Sequence, residues 1–486
     1  RGKRYQCGGE TNEDAKSKAV ELLDEAVKRM LRWRVWETWW IEEWMDEWLI
    51  VRDKLEIGLR GKYNNEVVND LLRLVGKFIG YNEQFLNYWR EIGNEVKRLV
   101  DDLMSGKAEV IIWNNASGIS VHGEHVTLEV NKTNAGGIPV KFVLEGLEGM
   151  VIEVLDVFKM TMSEKEYERF VNEILMMLKG GFEETDGHID NGYAAMGSTQ
   201  VWQVIAWSLL YPGEVHMYVN AINVNEGDVT ATYFLRSSHD PLKGKILSNA
   251  DKLSKDELLA FMFAAILGDG NVMIENIKGN DEAVIRIAMS SKKFDVWKPV
   301  LDKLRERFRW SKNPSNHNNH NANVVHVVFF SSYAIDLARA MISILPPILR
   351  DVLDALGFEK WSNLRRIAEM EVKWRRGESQ VIIVGYRFTV NARKDTVALA
   401  HWTRDDDEVK KVISALRARY GDGFVINVHK GGGRLAVAIP MYMIEKYDDI
   451  KEQVIHVLCR KLQKTKDEEK SQAIIKHLRR LAPTKG

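Results

Sequence analysis

The segment Leu259-Ala-Phe-Met-Phe-Ala-Ala-Ile-Leu-Gly-Asp-Gly270 constrains the fold more than any other stretch of the chain. It reads as an apolar helix ending in a Gly-Asp-Gly turn, and Asn271 to Ile274 then begin a strand. Ala260, Ala264 and Gly268 are four apart, so they share one helix face and leave it almost bare of side chains. A second backbone can approach such a face closely. The acid at the helix end then lies in the seam, where two such acids could share a divalent metal.

At 486 residues the chain has room for about three domains. The longest apolar candidates, 201–211 and 261–268, fall short of the roughly 18 residues needed to cross a bilayer, so no membrane partner is expected. Two cysteines are too few for a disulfide framework, which makes an intracellular, cytoplasmic protein the expectation. The net charge of zero conceals a gradient. Residues 1–250 hold 28 Lys and Arg against 39 Asp and Glu, residues 251–359 hold 14 of each, and residues 360–486 hold 27 against 16. A basic third in a neutral chain reads either as a phosphate-facing surface or as a solvated exterior. Few Gln (eight) and many Lys and Glu are compatible with a thermophilic source.

The periodicity predicts an α+β protein. Residues 13–105 read as a helical domain in which Trp33, Trp36, Trp40 and Trp44 form a stripe at helical spacing, the core of a hairpin or a protein-docking surface. Residues 108–245 read as an α+β domain, with strands at 110–113, 125–130 and 139–143 and a helix from Ser163 to Lys179. Ser163 and Glu166 form a capping box for that helix. A second helix spans 199–211 and leads into two strands around 225–228. Between these helices, Asp186-Gly-His-Ile-Asp190 offers metal-compatible donors in what reads as a loop.

From Ser254 the order αββαββα occurs twice. The first pass has the motif helix at 256–268, strands near 271–275 and at 283–290, a helix at 294–307 and a strand at 324–331. Helices from Tyr333 onward complete it. The second has a helix near 360–376, strands at 381–390 and 396–403, and a helix at 405–420. Strands at 424–429 and 434–439 and a helix from 441 to about 462 follow. Motif and repeat together resemble the LAGLIDADG homing endonucleases, whose monomeric members join two pseudo-symmetric halves at their motif helices. The resemblance implies repeats at 255–355 and 360–465, the second degenerate, followed by a basic tail at 466–486. It also implies a Mg²⁺-dependent, site-specific DNA endonuclease of mobile-element type.

A 109-residue offset sets Gly377-Glu378-Ser379 over Gly268-Asp269-Gly270, so the resemblance proposes Asp269 and Glu378 as catalytic, metal-binding acids. Both triplets also read as ordinary turns. At the same offset Ala260 becomes Glu369 and Ala264 becomes Lys373, charged residues that would hold two motif helices apart. Strand alternation puts Arg286, Arg387, Asn427 and His429 on open sheet faces, with Phe424, Ile426 and Val428 facing inward. Lys292, Lys293, Lys312, Lys430 and Arg434, with the loop residues His317 and His320, add phosphate contacts. Nucleic acid is therefore the expected partner, DNA ahead of RNA. The alternative is a non-catalytic RNA- or ribonucleoprotein-binding protein on the same fold.

Overall fold

The computed structural model describes residues 13–113, 117–133, 137–277, 280–314, 324–372, 378–431, 434–465 and 467–482. They divide into two compact units, residues 1–370 and 371–486. His317, His320, Lys373 and Gly377 lie outside the described residues.

The first unit opens with helices α1 (Glu13–Trp33), α2 (Trp39–Leu59) and α3 (Asn65–Met104). Asn64 starts α3 by accepting a hydrogen bond from Val67 N. Of the tryptophans in this segment, Trp40, Trp44, Trp48 and Trp89 are buried, which takes them out of any docking surface. Trp48 stacks on Phe78 at 4.8 Å, and Trp44 meets Tyr233 of the following sheet at 4.7 Å.

That antiparallel sheet has nine strands: β1 (Ile111–Ile112), β2 (Gly118–His122), β3 (Val126–Asn131), β4 (Val140–Leu144), β5 (Met150–Val154), β6 (Gly187–Asp190), β7 (Tyr193–Ser198), β8 (Gly213–Val224) and β9 (Val229–Ser237). Their order is β1-β2-β3-β4-β8-β9-β7-β6, with β5 also paired to β8. The Ser163 capping box is present and begins a longer helical run than the sequence suggested. A short α4 (Val157–Thr161) precedes the cap, and the run comprises α5 (Glu164–Arg169), a π-helical turn at Phe170–Leu175 and α6 (Met176–Thr185). In the Asp186–Asp190 segment, Asp186 caps α6 and Gly187–Asp190 is strand β6 rather than a loop. Asn191 and Gly192 both take positive φ (49° and 86°), the two-residue hairpin geometry that turns β6 into β7.

Helix α7 (Val201–Leu210) connects β7 to β8. A second series follows: α8 (Lys255–Asp269), β10 (Gly270–Ile277), β11 (Asn280–Ser290), α9 (Ser291–Arg305), β12 (Trp310–Pro314), β13 (Val324–Phe330) and α10 (Ser332–Ser343). The two series share one strand order and pairing. Strand order is β6-β7-β9-β8 in the first and β10-β11-β13-β12 in the second. Each motif helical run starts at a capping box, Ser163/Glu166 or Ser254/Glu257, and ends at an Asp-Gly pair. Within the first unit the paired halves are centred on 163–237 and 254–343, whereas the 109-residue offset set 255–355 against 360–465.

Helices α11 (Pro347–Leu356) and α12 (Glu359–Glu369) close the first unit. The helix expected over 360–376 ends at Glu369, because Met370 turns extended (φ −61°, ψ 140°).

The second unit carries β14 (Gln380–Ile383), β15 (Tyr386–Ala392), β16 (Val397–Thr403), α13 (Asp406–Tyr420), β17 (Asn427–Gly431), β18 (Arg434–Ile439), α14 (Met441–Lys446), α15 (Asp448–Lys464) and α16 (Glu468–Leu481). The expected single strand at 381–390 is a hairpin, turning at Val384 and Gly385, both with positive φ. Sheet order is β14-β15-β16-β18-β17, so the last four strands repeat the connectivity of each half in the first unit. Phe388, Val390, Leu399 and Val437 pack with Val412 and Leu416 of α13 and Val454 and Leu458 of α15. Val428, expected inward, is half exposed because β17 is the edge strand.

Candidate acidic site at a helix seam

Helix α8 packs against α6 with almost no side chain between them. A Cβ on Gly181 would collide with the Phe261 carbonyl and sit 2.8 Å from the Ala264 Cβ. One on Gly268 would collide with Thr185 and the Asp186 carboxylate. Gly181 and Thr185 on α6 therefore face Ala264 and Gly268 on α8, each pair four residues apart. Such close approach brings the two helix C-termini, and the acids that end them, to the same place.

Those acids are Asp186 and Asp269. The Asp186 carboxylate accepts a 2.7 Å hydrogen bond from Gln203 Nε2 of α7. Burial raises its pKa, and the charge on Asp269 raises it further, against the lowering influence of Lys360. Asp269 is more exposed and pairs with Lys293 at 3.0 Å. Lys360 of α12 donates to the carbonyl oxygens of Leu267 (2.9 Å) and Gly268 at the end of α8. Burial lowers the Lys360 pKa, while Asp186 and Asp269 pull it back up. Two carboxylates and two ammonium groups thus meet where the negative end of a helix adds its own field.

The acid that the first unit itself places beside Asp269 is Asp186. Glu378 belongs to the second unit, where Lys464 pairs with it at 2.6 Å. Among the described residues no group of three or more His, Cys, Asp and Glu is arranged to hold a metal, and the Asp186-x-His188-x-Asp190 reading fails for a local reason. Asp186 ends the helix, while Asp190 at the far end of the strand turns to Arg236 at 3.2 Å. The sequence reading missed Asp186 in this role, along with Gln203 and Lys360. Two signals pointed to Asp186: the repeated Ser-x-x-Glu start and the repeated Asp-Gly end.

The other predicted residues divide by unit. Arg286 lies half-buried on β11, 3.6 Å from Glu275, with its Nε unpaired. Lys292 is exposed in the first turn of α9, whereas Lys293 is committed to Asp269. Lys312 is in β12, paired with Val327, its side chain outside the described residues. Arg387, Asn427, His429, Lys430 and Arg434 are all exposed in the second unit. On the first half, a groove of about 750 Å³ lies over β5, β8, β9 and the β6–β7 turn, lined by Asp190, His216, Tyr218, Phe234 and Arg236. Phe234 packs on Tyr218 at 4.9 Å and on His188 at 5.2 Å, so this face carries aromatic and basic groups that the sequence reading overlooked.

No protein-family model and no curated protein matches the sequence. Among solved structures, similarity is found to the LAGLIDADG meganuclease I-AabMI bound to uncleaved DNA, at 10% identity over 46% of this chain and 96% of that one, TM-score 0.14. Full-length DUF199/WhiA from Thermatoga maritima is 12% identical over 63% of this chain and 89% of its own, TM-score 0.21. The homing endonuclease I-LtrWI bound to target DNA is 14% identical over 44% and 93%, TM-score 0.14. Likeness at these scores carries no weight for function.

Proposed function

We propose that this protein binds duplex DNA across the open sheet faces of its first unit, and that Asp186 and Asp269 together hold a Mg²⁺ ion for phosphodiester hydrolysis. The observation behind this reading is the seam itself: two halves of the same strand order meet at bare helix faces that end in two acids. The reading also draws on the LAGLIDADG resemblance noted in the sequence, with Asp186 in place of Glu378.

The donor set suits the ion. Carboxylates are hard oxygen ligands, and a dication offsets both the burial and the Asp269 charge that raise the Asp186 pKa. When bound, Mg²⁺ would supply Lewis acidity and a polarised water. Gln203 orients the Asp186 carboxylate, and Lys293 holds Asp269 at the mouth of the seam. On the sheet faces, Arg236 and Arg286 supply cations for phosphate or guanine, and His216 and Tyr218 line the groove.

The test is selection from a randomised duplex pool, followed by a nicking assay in Mg²⁺. Asp186→Asn and Asp269→Asn should each abolish nicking and leave duplex affinity nearly unchanged. A second reading, binding without cleavage, is favoured by the two ammonium groups that already balance the acids. It predicts a selected duplex that wild type binds and does not nick in Mg²⁺ or Mn²⁺.

A further inference from the structure

The sheet of the second unit has two unlike faces. One packs on α13 and α15 and supplies the apolar core of this unit. The other has a floor of small side chains: Ala400, Ala436 and Ala438 are recessed and buried. Above this floor stands Trp402, 50% exposed, in register with Ala436, which in turn pairs with His429 on the edge strand. The Thr389–Ala400 pairing brings Arg387 to the same end of the sheet. Among the described residues no other ring packs against Trp402.

Charge narrows the occupant. Alternation places Gln380 and Ile382 (β14), Arg387, Thr389 and Asn391 (β15), and the alternate residues of β16, β17 and β18 on this face, and none of them is a carboxylate. The unit as a whole, residues 371–486, holds 24 Lys and Arg against 15 Asp and Glu. An exposed indole on a small-residue floor, ringed by cations without anions, matches a polyanion that carries flat apolar groups. Within a duplex the flat faces of the bases are covered by their neighbours, so the indole can stack only on an unpaired base. The alanine methyls would leave a ribose 2′-hydroxyl without a hydrogen-bond partner, which favours deoxyribose.

We propose that this face binds single-stranded DNA, stacking one unpaired base on Trp402 and holding the flanking phosphates with Arg387 and Arg434. The site is independent of the acidic seam, since neither Asp186 nor Asp269 takes part in it.

The test uses the full-length chain and a fluorescein-labelled oligothymidylate of about 12 nucleotides, within the range of known single-strand site sizes. Affinity is read by anisotropy at about 50 mM salt, where phosphate contacts are strong. Trp402→Ala should weaken binding about ten-fold or more, the usual cost of losing one base stack, whereas Trp402→Phe should retain most of it. Arg387→Ala should flatten the salt slope by roughly 0.7 for each phosphate that it leaves without a cation. Binding to a duplex of the same length should be unaffected by Trp402→Ala.

Wild-type affinity in Trp402→Ala, no binding of the oligonucleotide by wild type, or tighter binding of oligouridylate would each overturn the proposal. If Trp402→Ala fails to fold, Trp402→Leu keeps an apolar side chain without a stacking ring, so weakened oligothymidylate binding by that variant supports the proposal and wild-type affinity overturns it. Asp186→Asn should bind the oligothymidylate like wild type, so a failed nuclease reading leaves this result standing.

Discussion

Asp186 shows how burial and a neighbouring charge set a local stability. Its folded-state pKa lies above the ordinary aspartate value, so the protein prefers the protonated form more than the unfolded chain does. Stability from this group is therefore complete below the unfolded value, near pH 4, and is lost as pH rises through the raised folded value. Asp186→Asn removes the titration yet keeps an oxygen that accepts from Gln203. The variant should melt higher than wild type at pH 7, and its advantage should shrink as pH falls toward 4. Thermal melts of both proteins across that range decide the point, and a variant less stable at every pH would refute it. Lys360 is the counterpart. Lys360→Met strips the ammonium from the Leu267 and Gly268 carbonyls, and removing one charged hydrogen bond costs about 1.5–3 kcal/mol. A denaturant midpoint equal to wild type would show that these carbonyls find water instead.

The seam between α6 and α8 depends on the absence of side chains. Gly181→Val should force the helices apart, since its Cβ would press into the Phe261 backbone, which cannot move as a flexible side chain would. Overpacking of this kind costs roughly 1–3 kcal/mol, visible as a lower urea midpoint at unchanged slope. It should also separate Asp186 from Asp269, so nicking should fall more than stability does. Helix α8 was legible in the sequence because its ten residues Leu258–Leu267 are all apolar and buried, and its small stripe ends in an acid. Its partner was not, because charges interrupt α6. Glu183 is buried and accepts from Leu242 N (2.6 Å), Lys243 N (2.9 Å) and Tyr211 OH (2.6 Å), and Glu184 accepts from Gly244 N. Those donors come from residues distant in sequence, so periodicity alone makes Glu183 and Glu184 look like solvated surface. The β6–β7 hairpin was missed although Asn191-Gly192 is a strong local turn signal, because the donors around it read as a metal-binding loop. The second-unit strands follow the expected order, yet the motif helix expected to introduce them stops at Glu369.

At the scale of the whole chain, the two units carry opposite charge. Residues 1–370 hold 45 Lys and Arg against 54 Asp and Glu, and residues 371–486 hold 24 against 15. A polyanion is repelled by the first sum and attracted by the second, so if the protein binds nucleic acid as proposed, the long-range attraction originates in the second unit. The steepness of salt dependence measures how many phosphates are neutralised, at roughly 0.9 per phosphate for duplex DNA. Replacing exposed Arg387, Lys430 and Arg434 together by Ala should therefore flatten the duplex salt slope of the full-length protein by up to about 2.7, if each neutralises one phosphate. Replacing Arg236 and Arg286, which already face Asp190 and Glu275, should change the slope less and lower sequence discrimination more. Titrations from about 50 to 200 mM salt separate the two sets. An unchanged slope in the triple variant would place the phosphate-binding groups on the acidic unit, and the charge asymmetry would then have no part in binding.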